Sequence, residues 1–132
     1  MVALLRQLTH LSLNGSPLGP SGARLLARSL RNLTMFSELE LKWCNLQSEG
    51  VVALAPTLKH LKKLWSLELT GNDIADRGTQ VLWRTMQQLT TLHVLNLLDN
   101  PISRGAAFAL VLLTRQMPNL EFVDVGEDVD VP

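Results

Sequence analysis

The chain has 132 residues, of which 46% are apolar and 18% charged, so it holds material for a core and lacks a disordered composition. Twelve basic side chains balance twelve acidic ones, which excludes a nucleic-acid or membrane-surface role driven by bulk positive charge. A lone cysteine excludes an internal disulfide framework, and no cysteine-rich metal site or cofactor motif accompanies it.

Taken in order, residues 1–7 open inside a pattern: Val2 and Leu5 match Leu30 and Leu33 one period later. They read as the end of a truncated repeat, with apolar residues where a polar cap belongs. They lack the charged start and long apolar run of a secretion signal, and the longest apolar run, 106–113, is too short to cross a bilayer. A cytoplasmic protein is the expectation.

Whole repeats follow at 8–35, 36–63, 64–91 and 92–119, all 28 residues long, and a last start at 120 leads into an acidic tail ending at 132. The second repeat shows the pattern: Phe36, Leu39, Leu41, Cys44, Leu46, Gly50 and Leu54. The third answers with Leu64, Leu67, Leu69, Asn72, Ile74, Gly78 and Leu82, and the fourth replaces the glycine by Ala106 beside a shifted Gly105. Five starts at one spacing predict a solenoid in a single domain, 1–132. In each repeat a short period-two stretch predicts a strand, a polar loop turns the chain, and apolar residues three and four apart predict a helix. Ser48 and Asp76 stand where side-chain oxygens could cap helix N-termini. Pro56 falls inside the second helix and predicts a kink or a late start.

The column Ser16, Cys44, Asn72, Asn100 falls where the chain leaves the strand, where a polar side chain can satisfy turn backbone groups in every repeat. Cys44 does this weakly and tolerates burial. As a catalytic thiol it would need an activating neighbour, and His10, His60 and His93 occupy other columns. No carboxylate pair, phosphate loop or metal-ligand spacing occurs, so an enzyme is not expected.

The motif L-x-x-L-x-L-x-x-N/C-x-L, with glycine four residues on, resembles the ribonuclease-inhibitor-type leucine-rich repeat. It is similar to the repeat regions of ribonuclease inhibitor, NOD-like receptors and the Ran GTPase-activating protein. The resemblance implies an α/β horseshoe with a concave parallel sheet and convex helices, used to grip other proteins. The alternatives it brings are an enzyme regulator of the GTPase-activating kind and a NOD-like-receptor-type sensor region.

Strand alternation sends the leucines inward and the intervening residues onto the concave face. Glu38, Glu40 and Lys42, then Glu68 and Thr70, then Asn96 and Leu98, and lastly Phe122 and Asp124 form the expected partner-binding surface. Glu40 and Glu68 stand side by side in the central column and predict a partner with a basic surface. Trp43, at the rim, is either a contact residue or a lid over the next loop. Trp65 has the parity of a buried position, and Trp83 falls in an apolar column. Lys59, His60, Lys62 and Lys63 read as a solvated edge and not a nucleic-acid site. The uncapped start adds one further expectation, self-association through the first repeat.

Overall fold

The computed structural model describes residues 6–126. Strands and helices alternate: β1 (His10–Ser12), α1 (Gly19–Leu30), β2 (Glu38–Glu40), α2 (Gln47–Leu58), β3 (Ser66–Glu68), α3 (Asp76–Met86), β4 (Val94–Asn96), α4 (Arg104–Thr114) and β5 (Phe122–Asp124). The five strands form one parallel sheet in the order β1-β2-β3-β4-β5. Their register follows the repeat, with Leu11 beside Leu39, Leu39 beside Leu67, and Leu67 beside Leu95. This is the solenoid that the 28-residue period predicts and the α/β leucine-rich-repeat architecture that the resemblance implies, with the sheet on one side and the helices on the other.

Three-residue strands are too short to stand alone, so the core holds them. Leu39, Leu41, Leu67, Leu69, Leu95 and Leu97 point inward against Leu54, Leu58, Leu82 and Met86 of the helices, all essentially without solvent exposure. Each such side chain contributes about 1.5–3 kcal/mol on burial. Leu11 and Leu13, on the outermost strand, are only half-buried. Val2 and Leu5, on which the self-association expectation rests, lie outside the described residues, as does the acidic tail beyond Gly126.

Glycines set how closely successive helices approach. A Cβ on Gly50 would lie 3.4 Å from the Ala23 Cβ, and one on Gly78 would lie 3.2 Å from the Ser48 Cα. Ala106 takes this column in α4, and there a groove of about 260 Å³ opens between α3 and α4, lined by Trp83, Ala106, Ala109 and Leu113.

Three local expectations are corrected. Ser48 and Asp76 do not cap their own helices: α2 begins at Gln47 and α3 at Asp76, with no side-chain cap on either. Each reaches instead into the following repeat, where the Ser48 Oγ accepts from the Ala75 N–H at 3.0 Å and an Asp76 carboxylate oxygen from the Ser103 N–H at 2.8 Å. The solenoid brings that loop within reach, which spacing along one repeat does not reveal. Pro56 does not delay α2, which runs from Gln47 past the proline and ends two residues later at Leu58. Its missing N–H removes the helical bond to the Val52 carbonyl, and only two residues of the helix follow it.

Candidate functional site

The column at the strand-to-helix turn works between repeats. The Asn72 Oδ1 accepts from the Cys44 N–H at 3.0 Å and the Leu46 N–H at 3.3 Å, while its Nδ2 donates to the Leu41, Leu69 and Thr70 carbonyls. Asn100 repeats the arrangement one step on, accepting from the Asn72 and Ile74 N–H groups. Cys44 keeps only the donating half: its thiol lies 3.1 Å from the Leu13 carbonyl and 3.5 Å from that of Lys42. Burial pushes the Cys44 thiol above its ordinary pKa, the opposite of what a nucleophile requires. Ser16 has no side-chain hydrogen bond among the described residues.

The open sheet face carries the predicted residues in adjacent positions. Glu40 pairs in register with Glu68, Glu68 with Asn96, and Asn96 with Asp124. The two central glutamates each take a side-chain donor from the neighbouring strand. Glu40 accepts from the His10 Nε2 at 2.7 Å, so that nitrogen carries the proton, and Glu38 lies 3.7 Å from the His10 Nδ1. Glu68 accepts from the Lys42 Nζ at 3.0 Å. The hydrogen bond with Glu68 and its negative charge raise the Lys42 pKa. The other Glu68 oxygen, Oε1, is buried without a hydrogen-bond partner. The expected acidic stripe is therefore tied across strands, by an ion pair at Lys42–Glu68 and a hydrogen bond at His10–Glu40. Toward β4 and β5 the face turns apolar, with Val94 and Leu98 half-buried and Phe122 exposed; Thr70 is half-buried beside them.

Trp43 stands at the edge of this face, 58% exposed. Its backbone is left-handed (φ 56°), and so is every matching position: Gly15 at 80°, Gly71 at 70° and Asp99 at 54°. The turn demands this conformation in each repeat, and a bulky aromatic residue adopts it at a cost of about 1–2 kcal/mol. The indole lies flat on Gly71, where a Cβ would come within 2.2 Å of the ring. Trp43 therefore covers the neighbouring loop with one ring face, while the other meets solvent.

Trp65 departs from its expected burial. It is 44% exposed and stacks on His93 at 5.3 Å, on the opposite edge of the sheet. The alternation that buries Leu67 does not extend back to residue 65, because β3 begins at Ser66. Trp83 is half-buried against the core and lines the groove between α3 and α4.

Stacked repeats with a solvent-facing parallel sheet define a solenoid scaffold. Residues 5–27, 32–55 and 56–82, together more than half of the chain, match the family model described as Leucine Rich repeat. The protein belongs to the leucine-rich repeat family. No curated protein sequence matches it. Among solved structures it is similar to leiomodin-1 Actin-Binding Site 2, with a TM-score of 0.83 at 19% identity over 93% of this chain and 73% of that one. It is also similar to the tropomodulin C-terminal domain of Caenorhabditis elegans, with a TM-score of 0.82 at 11% identity over 93% of this chain and 76% of that one. At these identities the likeness is one of fold. Among the described residues, no helix is long and apolar enough to cross a membrane, and no group of histidine, cysteine, aspartate and glutamate side chains is placed to hold a metal ion.

Proposed function

We propose that this chain is a non-enzymatic protein-interaction module that grips its partner on the concave sheet face. The observation that carries this reading is Trp43. A residue held in a left-handed turn that favours glycine, yet 58% exposed, contributes less to folding than its cost suggests. An exposed aromatic ring braced against a backbone is the form of a binding anchor. Around it lie the Lys42–Glu68 and His10–Glu40 pairs, and further along the sheet lie Leu98 and Phe122. This arrangement suits a partner that places an apolar side chain near Trp43 and basic groups opposite Glu38, Glu40 and Asp124. The repeat motif supports placement with the ribonuclease-inhibitor type, and a cytoplasmic setting accords with the single free cysteine.

The test is affinity capture comparing wild type with Trp43→Gly and Phe122→Ser, with purified actin included because the leiomodin-1 neighbour is described as an actin-binding site. Loss of the same partner in both variants, with circular dichroism unchanged, supports the reading. Undiminished capture by both places recognition elsewhere.

A further inference from the structure

The charges of this neutral chain are segregated by position in the repeat. Each repeat descends from mid-helix to the next strand through residues 24–36, 52–64, 80–92 and 108–120. These segments hold eight of the chain's twelve lysines and arginines and none of its twelve carboxylates. Six of the eight fall in the first two segments, as Arg24, Arg28 and Arg31 and then Lys59, Lys62 and Lys63. Five of the six are exposed and Lys59 is half-buried; His60 beside them is exposed too. The two turns lie side by side, since the Lys63 Nζ is 3.4 Å from the Met35 sulfur of the preceding repeat. Among the described residues, none of the six lies within ion-pair distance of a carboxylate.

Helix dipoles favour one cation at each C-terminus, which accounts for Arg31 and Lys59. They do not account for Lys62 and Lys63, which lie in the turn beyond α2, nor for the absence of every acid. We infer that this edge, Arg28 and Arg31 with Lys59, Lys62 and Lys63, is a second protein-binding surface whose partner is an extended acidic peptide segment.

Geometry and chemistry select that occupant. Neighbouring repeats are spaced between about 4.8 Å, where strands pair, and about 8–10 Å, where helices pack. An extended peptide with carboxylates at alternate positions spaces them by about 6.7 Å, within that interval. Arginine forks match carboxylates in two-point contacts. Nucleic acid is disfavoured because Trp65, two residues beyond Lys63, is already stacked on His93, which leaves the exposed His60 ring as the stacking platform among these cations, too little to hold successive bases. A bilayer is disfavoured because the exposed apolar side chains near these cations, Leu25 on α1, Met35 in the turn after it and Trp65 before β3, do not line one helix face that could lie in lipid.

The test is fluorescence anisotropy with labelled polyglutamate on the full chain, with single-stranded RNA and phosphatidylserine vesicles in parallel. Wild type is expected to bind polyglutamate, with affinity falling as salt is raised. Lys59→Ser/Lys62→Ser/Lys63→Ser and Arg28→Ser/Arg31→Ser are each expected to bind about tenfold more weakly, as several exposed ion pairs are lost. Arg77→Ser/Arg104→Ser, outside this edge, is expected to bind as wild type does. Absence of polyglutamate binding, equal loss in the Arg77/Arg104 control, or tighter binding of RNA or vesicles would overturn the proposal. Circular dichroism on each variant separates lost binding from lost fold.

Discussion

Cys44 and Asn72 occupy equivalent positions one repeat apart, and the thiol reproduces half of what the amide does. Asn72 donates to Leu41 at 2.6 Å, and Cys44 donates to the equivalent Leu13 at 3.1 Å. The accepting half is missing, so the first turn closes on itself: the Ser16 N–H donates to the Leu13 carbonyl and the Leu18 N–H to that of Ser16.

Asn72→Ala would leave the Cys44 and Leu46 N–H groups without an acceptor inside the core. At about 1–3 kcal/mol for each unsatisfied buried group, the expected loss is about 3 kcal/mol or more. Asn72→Cys should restore only part of it, and Cys44→Ala should cost no more than about 2 kcal/mol. Urea denaturation midpoints check the ranking, and a Cys44→Ala variant weaker than Asn72→Ala would refute it.

The indole on Gly71 predicts strong coupling between the two positions. Gly71→Ala forces a Cβ into the Trp43 ring and onto a left-handed backbone, whereas in a Trp43→Gly background only the backbone cost of about 1–2 kcal/mol remains. Trp43→Gly alone should change stability by less than about 1 kcal/mol, because relief of its own backbone offsets the lost contact and the added chain entropy. A double-mutant cycle by thermal unfolding measures the coupling, and additive effects would show that the ring does not rest there in solution.

Two helix glycines should respond with opposite signs. A Cβ on Gly78 meets Ile74 at 2.6 Å and the Ser48 backbone at 3.2 Å, so Gly78→Ala should destabilise by about 1–3 kcal/mol. Gly105 faces open space within α4, and Gly105→Ala should stabilise by about 0.5–1 kcal/mol. Melting temperatures moving in the same direction would contradict this packing.

Asp76 links two repeats and gives the acid limb of the stability curve a specific contributor. Hydrogen bonds from the Ser103 side chain and backbone N–H hold its carboxyl below the usual aspartate range. A depressed folded pKa means that this stabilisation is present above the unfolded value of about 3.9 and is lost as pH falls through the folded value. Asp76→Ala should therefore lower stability near neutrality, and its difference from wild type should shrink as pH falls below the unfolded value of about 3.9. A wild-type-to-variant difference that stays constant across that range would remove Asp76 from the account.

Lys42 predicts the alkaline counterpart. Its pKa is raised, first by the hydrogen bond with Glu68 and then by the charge, so the pair stabilises below the unfolded lysine value of about 10.4 and fades as pH rises through the folded one. Lys42→Met leaves Glu68 in the sheet face without its cation, while Lys42→Met/Glu68→Leu removes both charges. The single variant should be the less stable of the two at pH 7, and melting curves of the reverse order would show that the pair contributes little.

The fold was legible because it is written several times. Five starts at one period specify strand, turn and helix without any knowledge of contacts, since each repeat buries its leucines against the next. Membership of the sheet face was legible for the same reason: alternation in a three-residue strand assigns Glu38, Glu40, Glu68 and Asn96 to one side. The parity argument failed at Trp65, one residue outside its strand, where alternation no longer applies. Intra-repeat spacing also misassigned Ser48 and Asp76, whose oxygens serve loops 27 residues away.

The sequence by itself determined the architecture, because a repeated pattern of apolar side chains admits one way of burying them all. Only the tertiary structure decided how the charges on the open face behave. Glu40 and Glu68 read as a like-charge stripe until neighbouring strands bring His10 and Lys42 to within hydrogen-bond distance. The same holds for Trp43, whose ring is braced by a glycine 28 residues away. Short-range electrostatics and van der Waals contact depend on ångström distances between strands, and those are set only when the repeats stack.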